Sequence, residues 1–440
     1  MRLWRHWPGG LRSRASRPGP MPQSARRIAI LCRRSSRTPM KGAAMRILIA
    51  HNRYQQRGGE DTVVEVEAAN LRQAGHDVKV WLVDNDGISG LASKMNAALQ
   101  ATKSPAMQRL FDTVALPFKP DIVHFHNIFP RITPSVVEHA LHMGLPTLLT
   151  LHNFRFICAG AMLMRDGAIC EQCVGKSRIP AVLHGCYRGS RLGSAITARM
   201  GLAFKAVCNR NPGLRLIALT QFARSRFIAD DFPADQILIK PNTVEDLGVG
   251  DPVRDRKVVF VGRCSPEKGV DFLMRIAPRL LDQDIGIDVI GDGPALGEIR
   301  RNGVPENVRL LGHMPREEVI ARIKRAAAVV MPSRWYEGFP MVLLETYSTG
   351  TPVIASRLGS LAELVHPEKT GWTVDVDDEE GWIRAIQQAC NNRDNTSMLG
   401  RNARQLYESQ YDRIRNVVLI EEIYQSMLRL RNDQRSRNRI

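Results

Sequence analysis

Two glutamates eight residues apart, Glu337 and Glu345, sit in the run Ser333-Arg-Trp-Tyr-Glu-Gly-Phe-Pro-Met-Val-Leu-Leu-Glu345. An apolar strand pattern, Ala326 to Met331, precedes this run and a helix pattern follows it. One carboxylate is therefore expected in the loop at the strand's end and the other two turns into the helix. In an open α/β domain that end of the sheet is where ligands bind. Two groups that only accept hydrogen bonds suit a ligand rich in hydroxyl donors, such as a sugar or a ribose. A surface loop with one exposed and one paired glutamate fits the same spacing.

A second cluster has complementary chemistry. Lys257-Val-Val-Phe-Val-Gly262-Arg263-Cys-Ser-Pro-Glu-Lys268-Gly269 reads as a buried strand, a loop and a helix from about Val270. The apolar run to Val261 is continuous, as a parallel strand covered on both faces requires. Arg263 and Lys268 then lie beside a helix N-terminus, where two cations and free backbone N–H groups suit a diphosphate. A basic surface loop is the plain alternative. Position favours a site, because both clusters fall at strand ends of one expected sheet.

Taken together, Gly262-Arg263, Glu267-Lys268-Gly269 and Glu337-x7-Glu345 resemble the donor-site signature of the family-four retaining glycosyltransferases. The resemblance covers most of Met45 to about Met427. It implies an α/β, GT-B fold, with two Rossmann-like doubly wound domains facing a central cleft. It also implies transfer of a sugar from a UDP- or GDP-type nucleotide-diphosphate donor, with retention of configuration. By this likeness Arg263 and Lys268 hold the diphosphate, Glu345 the ribose hydroxyls and Glu337 the sugar hydroxyls. Gly262, Gly338, Phe339 and Met341 line the donor site. Pro340 departs from the pattern, standing where many members carry glycine. It has no N–H, so a neighbouring amide, at Phe339 or Met341, must serve the phosphate instead.

The rest of the chain alternates strand and helix patterns, as doubly wound sheets do. Strands are expected at 46–51, 77–83, 121–125, 146–151 and 214–219. A second set is expected near 257–261, 285–290, 307–311, 327–331 and 351–355. The domain reading is an acceptor-side domain over 45–243 and a nucleotide-sugar-binding domain over 244–409. A helix over 410–430 returns to the first domain in the resembled family, and a short basic tail covers 431–440. Gly58-Gly59, between the first strand and its helix, lets a backbone approach a ligand closely or simply makes a tight turn. His126-Asn127 and His152-Asn153 both end strands, which points to one shared pocket. By the resemblance, Gly58-Gly59 faces the diphosphate, His152 touches the reacting sugars, and His126, Asn127 and Asn153 lie on the acceptor side.

The mechanism usually proposed for the family passes the acceptor's proton to the departing phosphate oxygen, so no cofactor is required for catalysis. The rival metal-dependent design holds a divalent ion on Asp-x-Asp. Such triplets occur at Asp84-Asn85-Asp86, Asp282-Gln283-Asp284 and Asp375-Val376-Asp377, where they also read as ordinary turns.

Cys158, Cys170, Cys173 and Cys186 crowd into an insert over 156–190. The Cys170-x2-Cys173 gap suits two thiolates on one ion, so a structural zinc and four free thiols are the competing readings. An insert ending in Cys186-Tyr-Arg-Gly-Ser190 is similar to that of transferases acting in cell-surface polysaccharide synthesis, on glycan or lipid-linked acceptors. Beyond it, Leu192, Ile196, Met200, Ala203 and Val207 recur at helical spacing among Arg188, Arg191, Arg199 and Lys205. A core-packed helix with a solvated face is the commoner use of this pattern. A peripheral contact with anionic lipid at the inner membrane face is the other.

The net charge of +18 is concentrated at one end. Residues 1–44 hold eleven Lys or Arg and no acid, which leaves 51 basic against 44 acidic residues, or +7, in the remainder. This Arg-, Ser- and Pro-rich tail is expected to be disordered, or to precede a true start at Met45. Its longest apolar run is too short for a secretory signal, so a cytoplasmic protein is expected. A nucleic-acid-binding protein would interleave basic and aromatic residues. Aromatics are only 6% of the chain, so nucleic acid is not expected as a partner. A nucleotide-sugar epimerase or hydrolase shares the fold, and donor turnover with and without acceptor separates it from a transferase.

Overall fold

The computed structural model describes residues 43–53, 58–85, 100–250 and 253–437. Residues 1–42, the front of the Gly58 loop and Asp86 lie outside the described residues. The chain divides into two compact units, Met1–Ala43 and Ala44–Ile440, and all that follows concerns the second.

The first sheet is built from β1 (Arg46–Asn52), β2 (Asp77–Val83), β3 (Ile122–Phe125), β4 (Thr147–Leu151), β7 (Arg215–Ala218) and β8 (Ile237–Ile239). A small antiparallel pair, β5 (Met164–Arg165) and β6 (Ala168–Ile169), sits in the insert. Helices α1 (Gly59–Gln73), α2 (Pro105–Phe118), α3 (Thr133–His142), α4 (Ile179–Leu183), α5 (Arg191–Arg210) and α6 (Gln221–Ala229) accompany these strands. The sheet order is β2-β1-β3-β4-β7-β8, and every pairing is parallel.

The second sheet repeats the plan. Its order is β11-β10-β9-β12-β13-β14, again all parallel. The strands are β9 (Lys257–Val261), β10 (Gly286–Ile290), β11 (Val308–Gly312), β12 (Ala328–Met331), β13 (Val353–Ser356) and β14 (Gly371–Val374). The connecting helices are α7 (Val270–Ile276), α8 (Leu296–Asn302), α9 (Arg316–Arg325), α10 (Met341–Ser348), α11 (Gly359–Leu364), α12 (Glu379–Asn391) and α13 (Arg393–Leu406). A final helix, α14 (Arg413–Arg437), follows. β8 and β14 were not expected from the sequence. β8 is three residues long and β14 begins on glycine, so neither presents a long apolar run.

Both sheets reverse direction of growth at a switch point, between β1 and β3 in the first and between β9 and β12 in the second. Loops leaving the C-terminal ends of those strands open on a crevice. The strand interiors are buried on both faces, β3 and β12 at every residue, which is why these strands are apolar apart from His124 of β3. One apolar cluster runs from Ile47 and Ile49 of β1 through Val244 of the linker to Phe339, Tyr347, Tyr411 and Tyr424. Helix α14 therefore packs on the first sheet's side, where the Glu421 carboxylate also meets His76 at 2.8 Å.

The buried face of α5 differs from the expected stripe. Met200 and Val207 are buried, but Leu192 is 70% exposed. The face that packs is Ser194, Thr197, Gly201, Phe204 and Cys208. Gly201 sets this rotation, because a Cβ there would stand 2.5 Å from the Phe156 carbonyl oxygen. Apolarity alone does not show which side of a helix approaches a neighbouring backbone.

Candidate functional site

The second sheet places Lys268 and Glu337 together. β9 and β12 are paired neighbours, Val259 opposite Val329, and the two loops leave their same ends. Lys268 ends a single helical turn, Pro266–Lys268, and Gly269 follows at φ +74°. A Cβ on Gly269 would lie 2.1 Å from the Pro332 carbonyl oxygen, so only glycine lets this turn pack beneath the β12 loop. The Arg334 amide then donates to the Glu267 carbonyl at 2.8 Å, joining the loops.

Lys268 Nζ donates to Glu337 Oε1 at 2.7 Å. Ser333 Oγ donates to the same oxygen at 2.6 Å, and Trp335 Nε1 at 3.0 Å. The ammonium also lies 5.3 Å from the Trp335 ring centroid, a cation–π distance. Glu337 is buried, whereas a quarter of the Lys268 side chain reaches solvent. Arg263 behaves differently. It is exposed, and its side chain has no partner among the described residues. Of the two cations, Lys268 is held by a neighbouring side chain and Arg263 is not.

Glu345 stands one turn into α10, not two, because the helix begins only at Met341. Burial raises its carboxyl pKa, and the Arg316 guanidinium opposes that rise from 3.4 Å. Arg316 also binds Glu245 of the linker. Sequence reading missed Arg316, which opens α9 as one of many arginines. Pro340 caps α10 with no N–H. Phe339 is buried against Tyr411, and its carbonyl accepts from Asn242 at 3.4 Å. Gly262 crosses under Gly291, whose Cβ would stand 1.9 Å from the Gly262 carbonyl oxygen. Gly291-Asp-Gly293, after β10, therefore belongs to the same floor, signalled by two glycines at a strand end.

The two domains touch at this site. A Cβ on Gly338 would stand 2.6 Å from the His152 carbonyl oxygen. Tyr336 packs on Phe222 with centroids 4.6 Å apart. The Glu363 carboxylate accepts the Gln221 and Phe222 amides at 2.9 and 2.7 Å, at the start of α6. The loop carrying Glu337 thus meets the strand end carrying His152.

On the first domain's side, Gly58 caps α1, and its amide donates to Asp61 Oδ2 at 2.8 Å. Gly59 faces open space. Asn153 Nδ2 donates to Glu60 Oε1 at 2.6 Å, tying the β4 loop to that helix start. Asn127 is spent on backbone: Nδ2 donates to the Asn52 carbonyl at 2.8 Å and Oδ1 accepts the Phe129 amide at 3.0 Å. His126 Nδ1 and His152 Nε2 are 2.9 Å apart, so the structure brings the two imidazoles together. Burial pushes the His126 pKa down to about 3 and that of His152 well below its usual value.

Behind them lies a buried network absent from the sequence reading. Lys240 Nζ donates to Glu67 Oε2 at 2.8 Å. Glu67 Oε1 lies 3.0 Å from His124 Nδ1 and 3.4 Å from His126 Nε2. Burial alone would push the Glu67 carboxyl up, but Lys240 and His124 outweigh it and hold it well below the usual range. His124 also meets Tyr424 Oη of α14 at 2.9 Å and Thr150 Oγ1 at 2.8 Å. The available signal was Glu67's position, on the α1 stripe that buries Val64, Ala68 and Leu71.

Among the described residues, Glu67, His124 and His126 form the only group whose metal-ligating atoms lie within 4.8 Å of one another. Lys240 already neutralises that carboxylate, so a divalent cation would have to displace an ammonium. The four cysteines of the insert are half-exposed and unpaired. Burial, then the neighbouring thiols, raise the Cys186 pKa. No three of their sulfurs meet the 4.8 Å spacing, so the four thiols do not form a closed metal cage in this structure. Parts of the acidic triplets have other contacts: Asn85 bonds to Asn52, Asp284 ends a helical turn, and Asp377 pairs with Arg334.

The chain matches two family descriptions: "Glycosyl transferase 4-like domain" over residues 58–243 and "Glycosyl transferases group 1" over 248–406. A D-inositol 3-phosphate glycosyltransferase of Corynebacterium efficiens is 33% identical over 170 residues, 36% of this chain and 39% of that protein. The matched part thus spans about two-fifths of that relative's length. A sucrose-phosphate synthase from Thermosynechococcus elongatus shares the fold, with TM-score 0.63 at 16% identity, over 88% of this chain and all of that one. HepE of Anabaena, solved in complex with UDP-glucose, superimposes with TM-score 0.61 at 17% identity, over 87% of this chain and all of that one. With its two parallel sheets, its facing strand-end loops and both halves matched, the chain belongs to the family-four, group 1 glycosyltransferases of the GT-B fold.

Proposed function

We propose that the protein transfers a sugar from a UDP- or GDP-linked donor, with retention of configuration, to a glycan or lipid-linked acceptor in cell-surface polysaccharide synthesis. The observation that carries this reading is Lys268 Nζ held 2.7 Å from Glu337 Oε1, on a loop that abuts His152 of the other domain. An ammonium beside a hydroxyl-accepting carboxylate suits the junction of a diphosphate and a sugar. Lys268, with Arg263 from solvent, would stabilise the leaving diphosphate. Glu345 would accept from the ribose, and Glu337 and His152 would hold the sugar. Gly58 and Gly59 would face the phosphates across the cleft, and His126 and Asn153 would support the acceptor side. A screen of nucleotide sugars for thermal stabilisation tests the reading, followed by the anomeric form of the product. A UDP- or GDP-sugar should raise Tm and yield a retained linkage with acceptor present. Turnover that needs no acceptor would mark a hydrolase or epimerase instead.

Two finer assignments accompany this proposal. The insert's four cysteines supply a soft donor set for a structural zinc, although binding would draw the sulfurs closer than they stand here. Metal analysis of protein purified under reducing conditions should find about one zinc per chain, and none would remove the assignment. Peripheral lipid contact is assigned to α4 and α5, where Ile179, Leu183, Leu192 and Leu202 are exposed beside Arg188, Arg191 and Arg199. No described helix is long and apolar enough to cross a membrane. The protein should float with anionic vesicles and not with neutral ones. Equal behaviour with both would sink this assignment.

A further inference from the structure

We infer that Glu67, set by Lys240, is a positioning residue that fixes the proton on His152 through His126, so that His152 turns a bare Nδ1 outward. The inference rests on the reading of His152 as lining the donor pocket.

The argument is one of counting protons. His126 is neutral near pH 7, because burial holds its pKa at about 3. A neutral imidazole carries a single N–H. Its two nitrogens face different groups: Nε2 lies 3.4 Å from Glu67 Oε1, and Nδ1 lies 2.9 Å from His152 Nε2. Glu67 is ionised, with Lys240 on its second oxygen. A lone pair on His126 Nε2 would point at a buried anion, whereas an N–H there is attracted to it. The contact falls short of a full hydrogen bond, but at 3.4 Å an N–H turned toward the carboxylate presents its positive end and a lone pair its negative one. The His126 proton therefore sits on Nε2, and its Nδ1 must accept. The donor into Nδ1 is then His152 Nε2–H. His152 is neutral as well, so its own Nδ1 is unprotonated. His124 is compatible with this assignment: its Nδ1 lies 3.0 Å from Glu67 Oε1 and 2.9 Å from Tyr424 Oη, and its Nε2 lies 2.8 Å from Thr150 Oγ1.

His126 and His152 are near-parallel with centroids 5.2 Å apart, and His124 and His126 are tilted by 32° with centroids 4.3 Å apart, so the three rings pack against one another. The groups around the pair are thus Glu67 and Asp61 from α1, His51 from β1, His124 from β3 and Lys240 beyond β8. Among them only Glu67 presents a charge directly to His126.

The decisive variant is Glu67→Gln, which keeps the shape and removes the anion. Lys240 would hold the amide oxygen, turning the NH2 group toward the imidazoles. His126 Nε2 must then accept, its proton moves to Nδ1, and His152 is left with Nδ1–H. Histidine-selective 15N spectra of the full chain, with His152 assigned by its own substitution, read this directly. In the wild type, His152 should show a protonated Nε2 and a bare Nδ1. In Glu67→Gln the two signals should exchange, and kcat/KM with the donor found by the screen should fall roughly tenfold. If Glu67→Gln does not fold, Glu67→Leu with Lys240→Met removes both charges together and should give His152 a mixture of tautomers. A protonated His152 Nδ1 in the wild type, or an unchanged pattern in either variant, overturns the inference. Exchanged signals with full turnover would uphold the positioning and instead remove His152 from the donor pocket.

Discussion

Replacing Lys268 by alanine should lower kcat/KM at least about a hundredfold, the scale of one lost charge at a developing anion. Two effects act in the same direction. The departing diphosphate loses the cation nearest its bond to the sugar. Glu337, buried and holding three donors on one oxygen, loses its charged partner and keeps only Ser333 and Trp335. With its charged donor gone, the Glu337 carboxylate is also held less firmly in place for sugar hydroxyls. The loss should fall mainly on kcat, because the charge on the leaving oxygen grows only as the bond breaks. Steady-state kinetics with a stabilising nucleotide sugar measure it. A Lys268→Ala enzyme working at full speed would place the chemistry elsewhere in the molecule.

Glu345→Ala should produce a comparable fall in kcat/KM, about a hundredfold, but expressed chiefly in KM. Ribose hydroxyls do not change during transfer, so a group that holds them binds ground and transition state alike. The pH dependence gives a sharper test. Burial raises the Glu345 pKa, so its carboxylate is lost at a higher pH than an ordinary glutamate's as the solution is acidified. Arg316 lowers that pKa from 3.4 Å. Arg316→Ala should therefore move the acid limb of kcat/KM to higher pH while leaving the alkaline plateau in place. An acid limb that stays fixed in Arg316→Ala, or moves down, would show that Glu345 does not govern it.

The loops of the proposed donor site were legible in the sequence because their signals were local. β9 is an apolar run from Val258 to Val261, followed directly by Gly262-Arg263, and β12 is another ending six residues before Glu337. Each strand announces where its loop begins, and the charged residues follow at once. What escaped notice depends on long-range pairing. Glu67 and Lys240 are 173 positions apart, and each alone reads as a solvated charge. Arg316 gains meaning only when Glu345 and Glu245 lie beside it. Arg263 and Lys268 look equivalent on paper, yet one is anchored and the other exposed, because Gly269 and Pro332 lock only the second turn in place. The cysteine spacing left zinc and free thiols both open, because it fixes only the Cys170–Cys173 turn, while the approach of Cys158 and Cys186 depends on how the insert folds back.

Tyr424 has a consequence for synthesis. The first sheet is complete once the ribosome has made Ile239, yet His124 in its centre waits for a hydroxyl encoded 300 residues after it. Until α14 emerges, the nascent amino-terminal half exposes the apolar strip meant for Ile420, Ile423, Tyr424 and Met427. A premature stop just upstream of α14 would spare every residue of the proposed donor site and still release a sticky product, a ready client for chaperones and proteases.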